Sequence, residues 1–254
     1  FAQEVDRNYS AAVENTIISY EWITAAVDAH LHIPALAAIA QSEQWMAGLD
    51  VADEGADKNA IALRQGYVLR HARDWGERDP GVTTRNMLAD LRDRRLRGIE
   101  IQYDAIGIGS GVKSEFNRLV ESGAVDADEF VLTPWNAGGA VLRPFERVIE
   151  GDENSPLNRD FYHNFKAQAW WALRTRFYKT GRVVTLGEIY PADELISIDS
   201  ASLGPAVLAS LRKELAQPTR GLSASSMRLL VNKTPEGTKS PNLADATVQA
   251  FFPA

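Results

Sequence analysis

The sequence predicts an α/β protein: a central mixed sheet of about five strands, the first three antiparallel, with helices on both faces. Three observations carry this. Between residues 45 and 75, strand-like segments follow one another around a hairpin-sized gap at Gln65-Gly66. After them, amphipathic helical stretches alternate with short strand-like runs, the order that packs helices against a sheet. The 254 residues contain no convincing linker, repeat or low-complexity tract, and they suffice to bury one sizeable core.

Each element has its own reason. Trp22, Ala25, Ala26 and Ala29 follow a helical period in a peripheral first segment that Pro34 interrupts. "QWMAGLDVA" reads as a strand, and "NAIALRQGYVLRHARDW" as two more. "TTRNMLADLRDRRLRG" is a helix, capped by Thr83 or Thr84, with Met87, Leu88 and Leu91 inward and Gly98 as its stop. "IEIQYDAIG" is a strand ending at Asp104, "SGVKSEFNRLVESG" the helix after it, and "EFVLTP" the fifth strand. Phe161, Phe165, Ala169, Leu173 and Phe177, four apart, predict one long helix over 158–181 closed by Gly181. "GPAVLASLRKELAQP" is a shorter helix with Pro205 in its first turn. "SMRLLVN" reads as a strand, "KTPEGTKS" as an exposed loop, and "SPNLADATVQAFFP" as a last helix opened by Ser240 and Pro241.

Composition narrows the chemistry. A 45% hydrophobic and 24% charged content is that of an ordinary globular protein, and no apolar run reaches the ~20 residues of a membrane span. "FAQEVDRNYS" has neither the basic nor the apolar region of a secretory signal. Phe1 is not an initiator methionine, so the chain is expected to be a piece excised from a longer one. The absence of cysteine rules out disulfides and thiolate metal sites and suits a reducing cytoplasm. A formal net charge of -7 argues mildly against a nucleic-acid binder, although a site that collects divalent cations needs carboxylates. Basic residues also cluster locally, at Arg92–Arg97 and at Arg228, Lys233 and Lys239.

The acids are the informative residues. "GLDVADEGADKNAIALRQG" ends an apolar run on Asp50 and follows it at once with Asp53, Glu54 and Asp57. Acids crowded beside a buried element repel one another, so they form either a solvated turn or a cation site. Met46, Gly48 and Asp50 share one strand face. Asp104 sits at the carboxyl end of its strand, where open α/β sheets hold their ligands. Asp245 lies in the first turns of the final helix, where the dipole favours a carboxylate whatever its role. The glycines of "AIGIGSGVKSEF" are spaced G-x-G-x-G, which is no dinucleotide fingerprint; they let the backbone approach a metal-bound phosphate or the first strand. No Walker A sequence, HExxH pair or G-x-S-x-G elbow occurs. An all-carboxylate site remains, and hard oxygen ligands suit magnesium or manganese.

On these residues the chain resembles the C-terminal nuclease domain of the large terminase subunit, the DNA-packaging motor of tailed bacteriophages. Four motifs carry the likeness, in order along nearly the whole chain: the Gly-x-Asp first strand at 48–66, "IQYDAIGIGSGVKSEF", the Asn-x-Lys-Ala-x-x-Trp helix within "FYHNFKAQAWWALRTRF", and "LLVNKTPEGTKSPNLADATVQAFFP". The resemblance implies an RNase H-like fold over residues 41–254, with residues 1–40 a helical connector from an ATPase domain that is not in this sequence. It implies that Asp50, Asp104 and Asp245 are the metal-binding acids, with Asp57 or Asp53 as a further one, and that Lys233 is a basic residue on a hairpin beside the site. Asn242 stands where the family often has an acid.

The expected activity is two-metal hydrolysis of double-stranded DNA, with Asp50 bridging two Mg²⁺ or Mn²⁺ ions about 3.5–4 Å apart and Asp104 and Asp245 on either side. Lys233, Lys239, Arg228 and the Arg92–Arg97 cluster are candidate phosphate contacts, with little sequence reading. The resemblance further implies cleavage of concatemeric viral DNA in the host cytoplasm, away from membranes, with a small terminase subunit and a portal protein as partners. Alternatives are another RNase H-like nuclease (a junction resolvase or a hybrid nuclease), a sugar-kinase-type phosphotransferase, or a non-catalytic packaging or docking module.

Overall fold

In the computed structural model, which describes residues 15–41, 44–52, 57–235 and 237–253, six strands build the central sheet. They are β1 (Trp45–Asp50), β2 (Asn59–Gln65), β3 (Val68–Trp75), β4 (Ile99–Asp104), β5 (Phe130–Trp135) and β6 (Ser197–Ile198), in spatial order β5-β4-β1-β2-β3-β6. β2 pairs antiparallel with both β1 and β3, while β4, β5 and β6 join in parallel. The helices are α1 (Tyr20–Ala26), α2 (Pro34–Ile39), α3 (Pro80–Asp93), α4 (Ser110–Glu121), α5 (Asn158–Phe161), α6 (Phe165–Leu186), α7 (Ser200–Leu203), α8 (Pro205–Ala216) and α9 (Asn242–Phe251). A separate antiparallel ribbon pairs β7 (Thr219–Leu222) with β8 (Leu229–Asn232).

Side-chain alternation sorts the strands' residues onto two faces. Ala47, Leu49, Ile61, Leu63, Ile101 and Tyr103 bury themselves against Met87, Leu88 and Leu91 of α3 and Val112 and Phe116 of α4. On the opposite face, Ala60 and Ala62 belong to a core with Trp170, Leu173 and Phe177 of α6, Leu211 and Leu215 of α8, and the apolar residues of α9. The small residues there leave room for a helix, and α9 fills it: all ten of its residues are buried. Each large apolar side chain so buried contributes about 1.5–3 kcal/mol. From Ile17 onward the first segment joins this core rather than lying at the periphery: Ile17, Ile18, Ile23 and Ala26 are fully buried, and Trp22 meets Tyr178 of α6 edge-on.

The mixed sheet with helices on both faces is the one the sequence predicts, with a sixth, two-residue strand added at its edge. Several boundaries differ for physical reasons. The cap of α3 is Asp79, whose Oδ1 accepts from the N–H groups of Gly81 and Val82; Thr83 and Thr84 are buried inside the helix. That helix stops at Asp93, before Gly98. Pro34 starts a short helix instead of ending one. The hairpin turn is Gly66-Tyr67, because Gln65 still pairs with Val68. The predicted helix over 158–181 is two helices. His163 donates its N–H to the Leu229 carbonyl of β8, which pulls 162–164 out of helical geometry, and Asn164 caps a new start by accepting from Ala167. α6 then runs through Gly181, which sits against the Trp22 ring, and ends at Gly187.

Candidate active site

Asp50 and Asp104 end adjacent parallel strands. The register pairs Leu49 with Tyr103, so the two acids leave the sheet side by side, about 4.8 Å apart in strand spacing. The third acid arrives on α9. A Cβ built on Gly48 would stand 2.0 Å from the Ala246 carbonyl oxygen and 2.6 Å from the Ala250 nitrogen, so strand and helix backbones touch. That contact sets Asp245, in the first turn of α9, beside Asp50. Glu214 of α8 holds the same helix end, accepting from the N–H groups of Leu243 (2.7 Å) and Ala244 (3.2 Å); burial pushes its carboxyl up to about 7.

Two of the acids are buried and Asp104 is half-buried. Asp50 is 9% exposed and Asp245 6%. Burial pushes the Asp50 carboxyl well above the usual range; the charge of Asp245 adds to this, Lys233 opposes it, and Asp104 and Asp57 add smaller effects. Asp245 has two fixed partners. The Trp170 indole Nε1 donates to its Oδ1 at 3.2 Å, and the Lys233 ammonium lies 2.5 Å from its Oδ2. For Lys233, burial lowers the pKa, but the charges of Asp245 and Asp50, the hydrogen bond to Asp245 and the charge of Asp104 leave it above the ordinary lysine value. Asp104 accepts the N–H of Ile106 at 3.0 Å. The glycine run that follows packs on that strand end, not on the first strand: a Cβ on Gly109 would meet the Asp104 carbonyl oxygen at 1.8 Å, and one on Gly111 the Pro80 ring at 2.6 Å.

Among the described residues, Lys166 is a further cation within electrostatic reach of the acids. Lys166 is half-buried near the start of α6. Burial lowers its pKa, Lys233 lowers it further, and Asp245 and Asp104 raise it, so both acids are within electrostatic reach. The signal for Lys166 and Trp170 was in the sequence, inside the Asn-x-Lys-Ala-x-x-Trp motif, but no role followed from spacing alone. Glu214 left no signal at all, because its partners lie about thirty residues away.

The other candidates fall elsewhere. Asp57 is exposed, its charge reaching Asp50, while Asp53 and Glu54 lie outside the described residues. Lys239 is exposed; the Gln217 side chain bonds its carbonyl and that of Lys233, tying down both ends of the loop between them. Arg228 precedes β8 and Lys233 follows it, so a strand's length separates them. The Arg92–Arg97 segment precedes β4, at the opposite sheet end from Asp104. There Arg92 is held bidentately by Glu129, and Arg94 by Asp90.

The donor set is all carboxylate, which fits a hard divalent cation. Among the described residues no three metal-ligating side chains converge as a ready-made cage. Within this set the Lys233 ammonium pairs directly with Asp245.

No protein-family model matches the chain, and no curated protein sequence does. Solved structures do. The nuclease domain of the large terminase subunit gp2 of bacterial virus Sf6 is 25% identical, with a TM-score of 0.75 over 92% of this chain and 97% of that one. A lysine-to-alanine mutant of that domain with calcium is 25% identical, with a TM-score of 0.74 over 92% and 98%. A form of the mutant with manganese and β-thujaplicinol is 24% identical, with a TM-score of 0.75 over 92% and 97%. Matched over nearly its whole length, the chain has the RNase H-like fold of the C-terminal nuclease domain of phage large terminase subunits.

Proposed function

We propose that this chain is a divalent-cation-dependent endonuclease of a viral DNA-packaging terminase, cutting concatemeric double-stranded DNA by phosphodiester hydrolysis with little sequence reading. The observation that supports this most is the meeting of buried Asp50 with Asp104 and Asp245 at one sheet end, in a fold whose relatives were solved with manganese and calcium. Asp50, Asp104 and Asp245 would hold two Mg²⁺ or Mn²⁺ ions, with Asp57, whose charge reaches Asp50, as a further candidate. Bound there, such ions supply a nucleophilic water at neutral pH and neutralise charge on the phosphate oxygens. The chain's own residues do the positioning. β1 and β4 fix two carboxylates at one level, the Gly48 contact fixes the third, and the Trp170 N–H sets its orientation. Lys239 and Arg228 are proposed outer phosphate contacts, which makes binding strongly salt-dependent. In the biological setting residues 1–40 would connect to an ATPase domain, and a small terminase subunit and portal would deliver the DNA in the host cytoplasm.

Supercoiled plasmid incubated with the chain and Mn²⁺ or Mg²⁺ is expected to be nicked and then linearised, with EDTA abolishing both. Intact plasmid under every metal, with no metal-dependent rise in melting temperature, would instead indicate a docking module. Faster cutting of four-way junctions or RNA–DNA hybrids would favour the other nuclease classes.

Lys233 gives a second test. Its ammonium pairs with Asp245 and is attracted by Asp50. Lys233→Ala should therefore cost on the order of 1–3 kcal/mol in EDTA, since it leaves buried carboxylates unpaired. Mn²⁺ should restore that loss and raise the melting temperature more than it does in the native chain. Equal metal-induced shifts in both proteins would show that Lys233 and the cation do not share the acids.

A further inference from the structure

The motif at 164–170 has work for most of its members. Asn164 caps α6, Ala167 packs in the core, and Trp170 donates to Asp245. Lys166 is the member left over. Its backbone is fixed, the N–H donating to the Ala137 carbonyl at 3.0 Å. Its side chain makes no hydrogen bond or ion pair with the described residues, whereas Lys179 has Glu194 at 2.6 Å and Lys58 has Asp74 at 2.9 Å. It precedes Trp170 by four positions, so the two side chains are neighbours on one helix face. Trp170 touches Asp245, which puts Lys166 at the edge of the acid site.

For stability alone this is a poor place for a lysine. It is the second residue of a 22-residue helix, where the positive end of the dipole repels a cation. It is half-buried, so its ammonium loses water without gaining a direct ion pair among the described residues, although the charges of Asp245 and Asp104 reach it. Lys233 lies close enough to repel it as well. A group kept at such a cost, beside acids that would be occupied by cations during function, calls for an anion that comes and goes.

We propose that Lys166 is a substrate-binding catalytic residue: its ammonium takes a non-bridging oxygen of the DNA phosphate held against Asp104 and Asp245. This rests on the nuclease reading above and assigns a contact to that same site. The phosphate provides the direct anionic partner that Lys166 lacks, and the half-buried position strengthens the contact relative to a surface lysine. Lys166 acts on the substrate and is not a metal ligand, which separates its phenotype from that of the acids.

The test compares the native chain with Lys166→Ala and Lys166→Arg in three measurements. Plasmid cleavage in Mn²⁺ should fall about 10- to 100-fold for Lys166→Ala, the loss expected for one charge-assisted contact, and Lys166→Arg should recover part of it. Binding of a fluorescent duplex in Ca²⁺ should weaken, with the slope of log affinity against log salt reduced by about one. The melting temperature of Lys166→Ala should equal or exceed that of the native chain, and its Mn²⁺-induced rise should persist. A purely structural lysine would instead lower the melting temperature and leave the salt slope alone. Cleavage by Lys166→Ala within twofold of native overturns the proposal and leaves the nuclease reading standing. A native chain inert with every metal overturns that reading, and the proposal with it.

Discussion

Asp50→Asn should fold as stably as the native chain or more so, and it should lose metal-dependent cleavage. The substitution keeps the shape of a side chain whose backbone pairs with Ala60 across the β1–β2 ladder. What it removes is a buried negative charge beside Asp245. Folding raises the Asp50 carboxyl pKa, so between the unfolded and folded values the folded chain keeps a proton that the unfolded chain has lost. Native stability therefore falls as pH rises through that window, and the substituted chain escapes the fall. Loss of the Lys233 attraction acts against this gain and limits it. Cleavage should drop at least about a hundredfold, because changing even an outer-shell group of a metal site typically costs 10- to 100-fold. The Mn²⁺-induced rise in melting temperature should shrink with it. Asp50 is a cleaner position than Asp245, whose loss would also strand the Trp170 N–H and the Lys233 ammonium. A folded Asp50→Asn chain that cuts plasmid at the native rate would remove Asp50 from the site.

The acids were legible because they break a pattern. An aspartate at the end of an apolar strand is conspicuous, and a period of two fixes the face it shares with Gly48. Sequence order also placed Asp104 at a strand's carboxyl end, the right place for a ligand in an open sheet. What stayed hidden is decided by distant parts of the chain. The two-residue β6 exists only because Val68 and Leu69 of β3 offer a ladder to Ser197 and Ile198. The break at 162–164 is imposed by Leu229 of β8, while the four-residue aromatic spacing runs straight through it: Phe161 still packs edge-on to Tyr162 and Trp171. Thr83 and Thr84 are good cap residues by type, yet Asp79 followed by Pro80 is the better start for α3. The pairing of Lys233 with Asp245 depends on how the β7–β8 ribbon meets α9, which no local pattern encodes.

Gly48→Ala tests the contact that assembles the site, and its expected effect on stability is large. The added Cβ would meet the Ala246 carbonyl oxygen at 2.0 Å, the Ala250 nitrogen at 2.6 Å and the Gln249 Cβ at 2.8 Å. The first two are backbone atoms of α9, so no side chain can rotate away; the helix itself has to move. α9 has little room to do so, since it is buried along its full length and pinned at its start by Glu214. Overpacking costs about 1–3 kcal/mol and occasionally more. A clash with backbone puts this one near the upper end, about 3 kcal/mol, equivalent to a fall of roughly 6–12 °C in melting temperature for a chain of this size. Any chain that still folds carries a displaced Asp245, so cleavage should fall further than the loss of folded protein explains. Gly221→Ala is the control: it lies in β7 with nothing within 4 Å of the new methyl, and it should leave both melting temperature and cleavage near native. A Gly48→Ala chain melting within about 2 °C of native, a shift worth at most about 1 kcal/mol, would mean that α9 does not rest on β1. The route by which Asp245 reaches Asp50 would then have to be redrawn.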